Sequence, residues 1–171
     1  MVAKSFKCLL PSEAKRCASR LDAYRNSRYT SKMQTFLPLP DFRASARVLD
    51  PKRLGNQAYR EGLTLLRGRW PNHPAAKMWA EYRPALAQYI LCCFRELAVR
   101  GRHYPRYVYE CQLFLQHNGP IMRPPWLGDT RLHSSHRASL LYKDPIWYGK
   151  FGWDDPPAVL VKNKIPYFWP I

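Results

Sequence analysis

The stretch Asp50-Pro51-Lys52-Arg53-Leu54-Gly55-Asn56-Gln57-Ala58-Tyr59-Arg60-Glu61-Gly62-Leu63-Thr64-Leu65-Leu66-Arg67-Gly68 decides how the chain is read. Aspartate followed by proline is a helix start: the carboxylate takes the first free backbone N–H groups, and proline is pre-set for the first helical position. Glycine is a helix stop, so the pattern predicts a helix from about Pro51 to Arg67, closed by Gly68. Leu54, Ala58, Glu61 and Leu65 follow one another at steps of four, three and four, which puts them on one face. A carboxylate therefore sits in or beside an apolar stripe. Taken alone, Glu61 reads as a helix-edge acid paired with Arg60 or Arg53.

Working outward, Met33 to Pro40 (MQTFLPLP) reads as an extended segment entering a domain, because two prolines disfavour helix there. On the other side, Asn72-His73-Pro74 opens a second helical region, and Pro84 starts a longer helix that runs to Arg100 and stops at Gly101. Its stripe of Leu86, Ile90, Cys93 and Leu97 marks it as the central core helix. Residues 102–128 are mixed, with a rigid turn at Arg123-Pro124-Pro125-Trp126. Asp129 or Thr130 caps a helix to about Tyr142, and Asp144-Pro145 starts a short one ending near Gly152. Four prolines between Asp154 and Ile171 point to an extended strap. The fold class is mainly α: a compact helical domain with irregular, proline-rich connections, a basic N-terminal arm and an extended C-terminal strap.

Charge is the compositional outlier. The 171 residues hold 28 Lys and Arg against 12 Asp and Glu, a formal net charge of +16. Such a surplus selects polyanionic partners, nucleic acid before all. Residues 1–32 contribute eight bases (Lys4, Lys7, Lys15, Arg16, Arg20, Arg25, Arg28, Lys32) and two acids (Glu13, Asp22), or +6. They read as a basic arm along an anionic partner in preference to a transit peptide, and residues 33–171 as the domain. An odd set of cysteines, Cys8, Cys17, Cys92, Cys93 and Cys111, with no secretory signal points to a reducing, intracellular setting, which includes a virus particle or an organelle. No apolar run reaches the roughly 18 to 20 residues of a membrane span.

No glycine-rich phosphate loop, Gly-x-Ser-x-Gly elbow or His-Glu-x-x-His motif occurs, which removes the commoner nucleotide-binding and hydrolase classes. His133 and His136 share a helix face, but no third ligand stands at a matching spacing, so no metal and no cofactor is expected. What remains is alternation of cations and flat rings: Tyr59-Arg60, Arg102 to Tyr107, Arg131 to Arg137 and Lys143 to Trp153. Phosphates need cations and unstacked bases need flat apolar faces, so the pattern suits a nucleic-acid surface.

The helix with Tyr59-Arg60-Glu61, together with His133-Ser134-Ser135-His136-Arg137 and Lys143-Asp144-Pro145-Ile146-Trp147-Tyr148-Gly149-Lys150, resembles the pyrimidine-dimer DNA glycosylase family, the endonuclease V type. The wider match, through MQTFLP at 33–38, Ser45 to Glu61, Asn72-His73-Pro74, Met78-Trp79 and Pro125 to Asp129, is to small bacterial relatives of that enzyme. The resemblance implies a helical DNA-binding domain in which a free N-terminal amine attacks the sugar of the damaged nucleotide. It implies acid/base work for Glu61 and a phosphate contact for Arg60. Arg53, His133, His136, Arg137, Lys143, Trp147, Tyr148 and Lys150 are the further candidates for nucleic-acid contact.

One departure bears on activity. The segment resembling the family's start lies 32 residues inside this chain, so the amine is displaced, which favours binding kept and catalysis lost. Three functions compete: a nucleic-acid-binding protein (DNA before RNA), a structural component of a virus particle or organelle ribosome that meets neighbouring proteins through residues 1–32 and 154–171, and an active base-excision glycosylase.

Overall fold

The computed structural model describes residues 34–171; the basic arm expected at 1–32 lies outside the described residues. Among the described residues the structure is helical, with no strand beyond an isolated bridge between Val161 and Lys164.

α1 (Phe42–Val48) is capped by Asp41, whose Oδ1 accepts the Ala44 N–H at 2.6 Å. α2 starts where the Asp-Pro pair predicts. Asp50 Oδ1 accepts from the amides of Lys52 (3.0 Å) and Arg53 (3.1 Å). It runs through Pro51–Gly55, a widened π-helical segment Asn56–Gly62, and Leu63–Leu66, and Gly68 beyond it takes φ +73°. α3 (Pro74–Trp79) is capped by the His73 ring and tightens into a 3₁₀ turn over Ala80–Tyr82 before α4 (Arg83–Val99). The expected stripe of α4 is buried throughout: Leu86, Ile90, Cys93 and Leu97 are at most 1% exposed. Gly101 then takes φ +80°, a conformation open to glycine.

α5 (Pro105–His117) occupies much of the stretch expected to be mixed. Only Cys111 of it is buried, so its apolar pattern is thin. Its helical signal is Pro105 at the first position and Tyr107, Cys111 and Phe114 at steps of four and three. α5, α1 and the π segment of α2 all pack on α4, which is the central helix. α6 (Thr130–Lys143), capped by Asp129, and α7 (Pro145–Gly149), capped by Asp144, follow. α7 ends three residues before the expected Gly152. The tail is an extended strap as expected. The Asp155 carboxylate takes hydrogen bonds from Ser134 and Arg137 of α6, the Tyr167 hydroxyl meets Ser139 at 3.0 Å, and Phe168 N–H donates to Ser135 at 3.3 Å.

Candidate active site

The extended segment from Gln34 to Leu39 has no strand partner, yet its backbone is buried and every such group needs one. Side chains supply the partners. Gln57 donates through Nε2 to the Gln34 carbonyl (2.7 Å) and accepts through Oε1 from the Phe36 N–H (2.7 Å). The Tyr89 hydroxyl donates to the Phe36 carbonyl at 2.6 Å, and the Trp79 indole N–H to Thr35 Oγ1 at 2.9 Å. Leu37 is gripped from α6: its N–H donates to His136 Nδ1 at 2.9 Å, and His133 Nδ1 lies 2.7 Å from its carbonyl. Arg137 donates to the Pro38 carbonyl at 3.0 Å. The segment is held as a docked peptide is held, by four helices at once.

This grip places the start of the segment on Glu61. The same Gln57 Nε2 donates to Glu61 Oε2 at 2.5 Å, and the backbone N–H of Gln34 hydrogen-bonds the Glu61 carboxylate as well. Glu61 is half-buried as a residue, but its carboxyl end is enclosed. Burial pushes its pKa from 4.5 up to about 7, against the pull of Gln57, the Gln34 N–H, and the positive charges of Arg60 and Lys143. Glu61 is therefore a carboxyl group that exchanges a proton near neutrality, as general acid/base work requires. The Gln34 side chain is fully buried beside it, and neither its Nε2 nor its Oε1 has a hydrogen-bond partner among the described residues.

The structure brings Arg60, Glu61 and Lys143 together from two helices, with both cations exposed. Lys150 Nζ stands 3.4 Å from the centroid of the Trp147 ring, and the Trp147 indole is fixed by a hydrogen bond to the Val48 carbonyl at 2.9 Å. Of the candidates for nucleic-acid contact, Arg60, Lys143 and Lys150 are exposed and Trp147 is half-buried. The others are engaged within the fold.

Tyr148 is fully buried, and its hydroxyl donates to Asp50 Oδ2 at 2.6 Å. Arg53 is spent on the same Asp50 oxygen at 2.7 Å. Burial pushes Asp50 up, but the bonds from Tyr148 and Arg53 outweigh it and hold its carboxyl below the usual range. His133 accepts the Gly128 N–H on Nε2 (3.1 Å), so its proton is on Nδ1, donated to Leu37. His136 accepts on Nδ1, so its proton is on Nε2. That atom is buried without a hydrogen-bond partner among the described residues. Burial lowers both histidines, His136 to about 3. Arg137 is held by Asp155 and Pro38. Tyr148, Arg53, His133, His136 and Arg137 are thus parts of the scaffold instead of a contact surface. His133, His136 and Arg137 supply hydrogen-bond partners to the 34–39 segment and the strap, and Tyr148 and Arg53 hold the Asp50 carboxylate that caps α2. Gln57 and Tyr89 were not singled out from sequence; the four-residue step from Gln57 to Glu61 was the available signal.

The Tyr-Arg-Glu helix thus presents a neutral-range carboxyl group to the start of the domain. Residues 33–109 match the pyrimidine dimer DNA glycosylase family. The stretch resembling that family takes in the docked segment, Glu61 and most of the core; α6, α7 and the strap lie beyond it. No curated protein and no solved structure matches the chain. Among the described residues, no helix is long and apolar enough to cross a membrane.

Proposed function

We propose that this protein binds nucleic acid, DNA before RNA, around Glu61, and that the intact chain does not perform the amine chemistry of the family it resembles. The observation that carries this reading is the partner of Glu61. The nitrogen facing the carboxylate belongs to Gln34, and in this chain it is acylated by Met33. A peptide nitrogen has its lone pair delocalised into the carbonyl, so it neither attacks a sugar carbon nor forms a Schiff base. Binding has the charge it needs. Subtracting the +6 of residues 1–32 from +16 leaves +10 on residues 33–171, and Arg60, Lys143 and Lys150 are exposed. The test has two arms. Affinity for duplex DNA is expected to fall steeply as salt rises, since each phosphate contact releases about one counterion. Borohydride with ultraviolet-irradiated DNA is expected to leave the intact protein uncrosslinked. Salt-insensitive, feeble binding would remove the first half of the reading, and efficient trapping the second.

A second reading, a component of a nucleoprotein assembly, is favoured by the strap. Val159 is 78% and Val161 57% exposed beside Lys162 and Lys164, an apolar tip suited to a neighbouring protein. Sedimentation of the protein with its nucleic acid and with cell extract separates the two: an assembly component travels with a particle much larger than a one-to-one complex.

A further inference from the structure

The central helix α4 has two working faces. Ile90 takes the close approach of Gly62, from the helix that carries Glu61: a Cβ added to that glycine would stand 2.6 Å from Ile90 Cγ1. Two residues on, Cys92 lies about 200° further round the helix, so it faces away from α2. On that far side Gln88, Cys92 and Arg95 form one wall of a groove of about 540 Å³. The opposing walls are the start of α1 and the loop 121–127.

The groove combines an apolar floor with a cationic rim. Phe42, Ala85 and Leu127 line its base, and Arg43, Arg95 and Arg123 come to it from three separate segments. Its one carboxylate, Asp41, is already engaged, because Oδ1 accepts the Ala44 N–H in the cap of α1. Arg123 is partly engaged by the Leu127 carbonyl at 3.2 Å. Arg43 and Arg95 make no hydrogen bond or ion pair among the described residues. Three guanidinium groups against one carboxylate leave the pocket net positive, and an anion between them neutralises it. Guanidinium groups fit phosphate oxygens in pairs. Ile121 and Met122, 45% and 58% exposed, add apolar surface at the mouth for a sugar or a base. The volume lies in the range that holds a nucleotide-sized unit.

From this juxtaposition we propose that the groove is a second nucleic-acid contact, apart from the Glu61 cleft, in which Arg43 and Arg95 hold phosphates of the bound strand. This rests on the nucleic-acid reading above. The full-length protein carries a reporter in place, the half-buried Cys92 thiol in the groove wall. Its alkylation by iodoacetamide can be followed by peptide mass with and without saturating duplex DNA, and with inorganic phosphate at the same phosphate concentration. Duplex is expected to slow Cys92 alkylation several-fold in the wild type. In the double variant Arg43→Gln/Arg95→Gln the protection should vanish, with the salt slope of DNA binding reduced by about 2. Both arginines are exposed, so thermal melting should be unchanged. Equal Cys92 reactivity with and without duplex, protection by inorganic phosphate but not by duplex, or an unchanged salt slope in the double variant overturns the groove while leaving DNA binding standing. A wild-type protein that binds no DNA at all overturns both.

Discussion

Glu61 carries its proton toward neutral pH because burial outweighs four opposing influences, and that has a consequence for stability. Its folded pKa of about 7 stands above the ordinary 4.5. The contribution is fully present below pH 4.5, where the group is protonated folded or unfolded, and is lost as pH rises through 7. Glu61→Gln keeps an acceptor for Gln57 and the Gln34 N–H without a charge. Melting curves from pH 4 to 9 should show the alkaline-side decline weakened in this variant, with a gain of up to about 3 kcal/mol at pH 8. His136 works in the opposite sense. Its pKa is lowered from 6.5 to about 3, so its contribution is present above 6.5 and lost as pH falls toward 3. His136→Asn leaves an oxygen to accept the Leu37 N–H but opens a cavity. It should cost about 1–3 kcal/mol at pH 7, with a shallower loss of stability between pH 6.5 and 3. Little of this was legible in the sequence. The helical spacing placed Glu61 beside an apolar stripe, but the histidines and Tyr148 read as contact residues, because one chain gives no sign that a strand-less segment at 34–39 will claim the histidines, or that Asp50 will claim Tyr148, as hydrogen-bond partners.

At the scale of elements, the local signals were strong where chemistry is local. Asp50-Pro51, Asp129 and Asp144-Pro145 cap helices as read, and Gly68 and Gly101 follow helix ends with positive φ. α5 was missed because only Cys111 is buried along it, and α1, capped by Asp41, is too short to show a period. The widening of α2 into a π segment over Asn56–Gly62 also has no sequence signature; such bulges often accompany functional sites, and this one carries both Gln57 and Glu61. Gly62 is the residue that permits it. A Cβ there would lie 2.5 Å from the Gln57 carbonyl oxygen and 2.6 Å from Ile90 Cγ1. One of those atoms is backbone, so a rotamer change cannot relieve the contact. Gly62→Ala is expected to cost more than about 2 kcal/mol, measured by urea unfolding. Where the fold survives, the break between Gln57 and Glu61 should appear as a change in the pH dependence of stability. An alanine variant as stable as the parent would show that the π segment is not set by this approach.

For the molecule as a whole, the issue is what separates a binder from an enzyme, and the charge total does not decide it: +10 on residues 33–171 suits either. On the reading proposed above, the difference lies in one covalent bond, between Met33 and Gln34, which keeps the nitrogen beside Glu61 as an amide. Breaking that bond should change the protein's chemistry without disturbing the site, because the 34–39 segment is held by Gln57, Tyr89, Trp79, His133 and His136. A protease site placed ahead of residue 34 would release the amine. An N-terminal glutamine closes on its own amine to a lactam, so the released chain should carry Gln34→Ala, which also removes two buried polar atoms that lack partners among the described residues. The freed amine would then bond to the sugar carbon C1′ as the glycosidic bond breaks and the base leaves. Opening of the C1′–O4′ ring bond with a proton to O4′ would give the imine, and borohydride would reduce that imine to a stable protein–DNA crosslink. The uncleaved protein is expected to give none, the released chain to give crosslink on ultraviolet-irradiated DNA, and Glu61→Gln in the released chain to slow its formation about 10²- to 10⁴-fold. If the uncleaved protein crosslinks as well as the released one, the nucleophile is a side chain. Lys143, close enough to influence the Glu61 proton, is then the first to replace, since loss of crosslinking in Lys143→Gln would locate it.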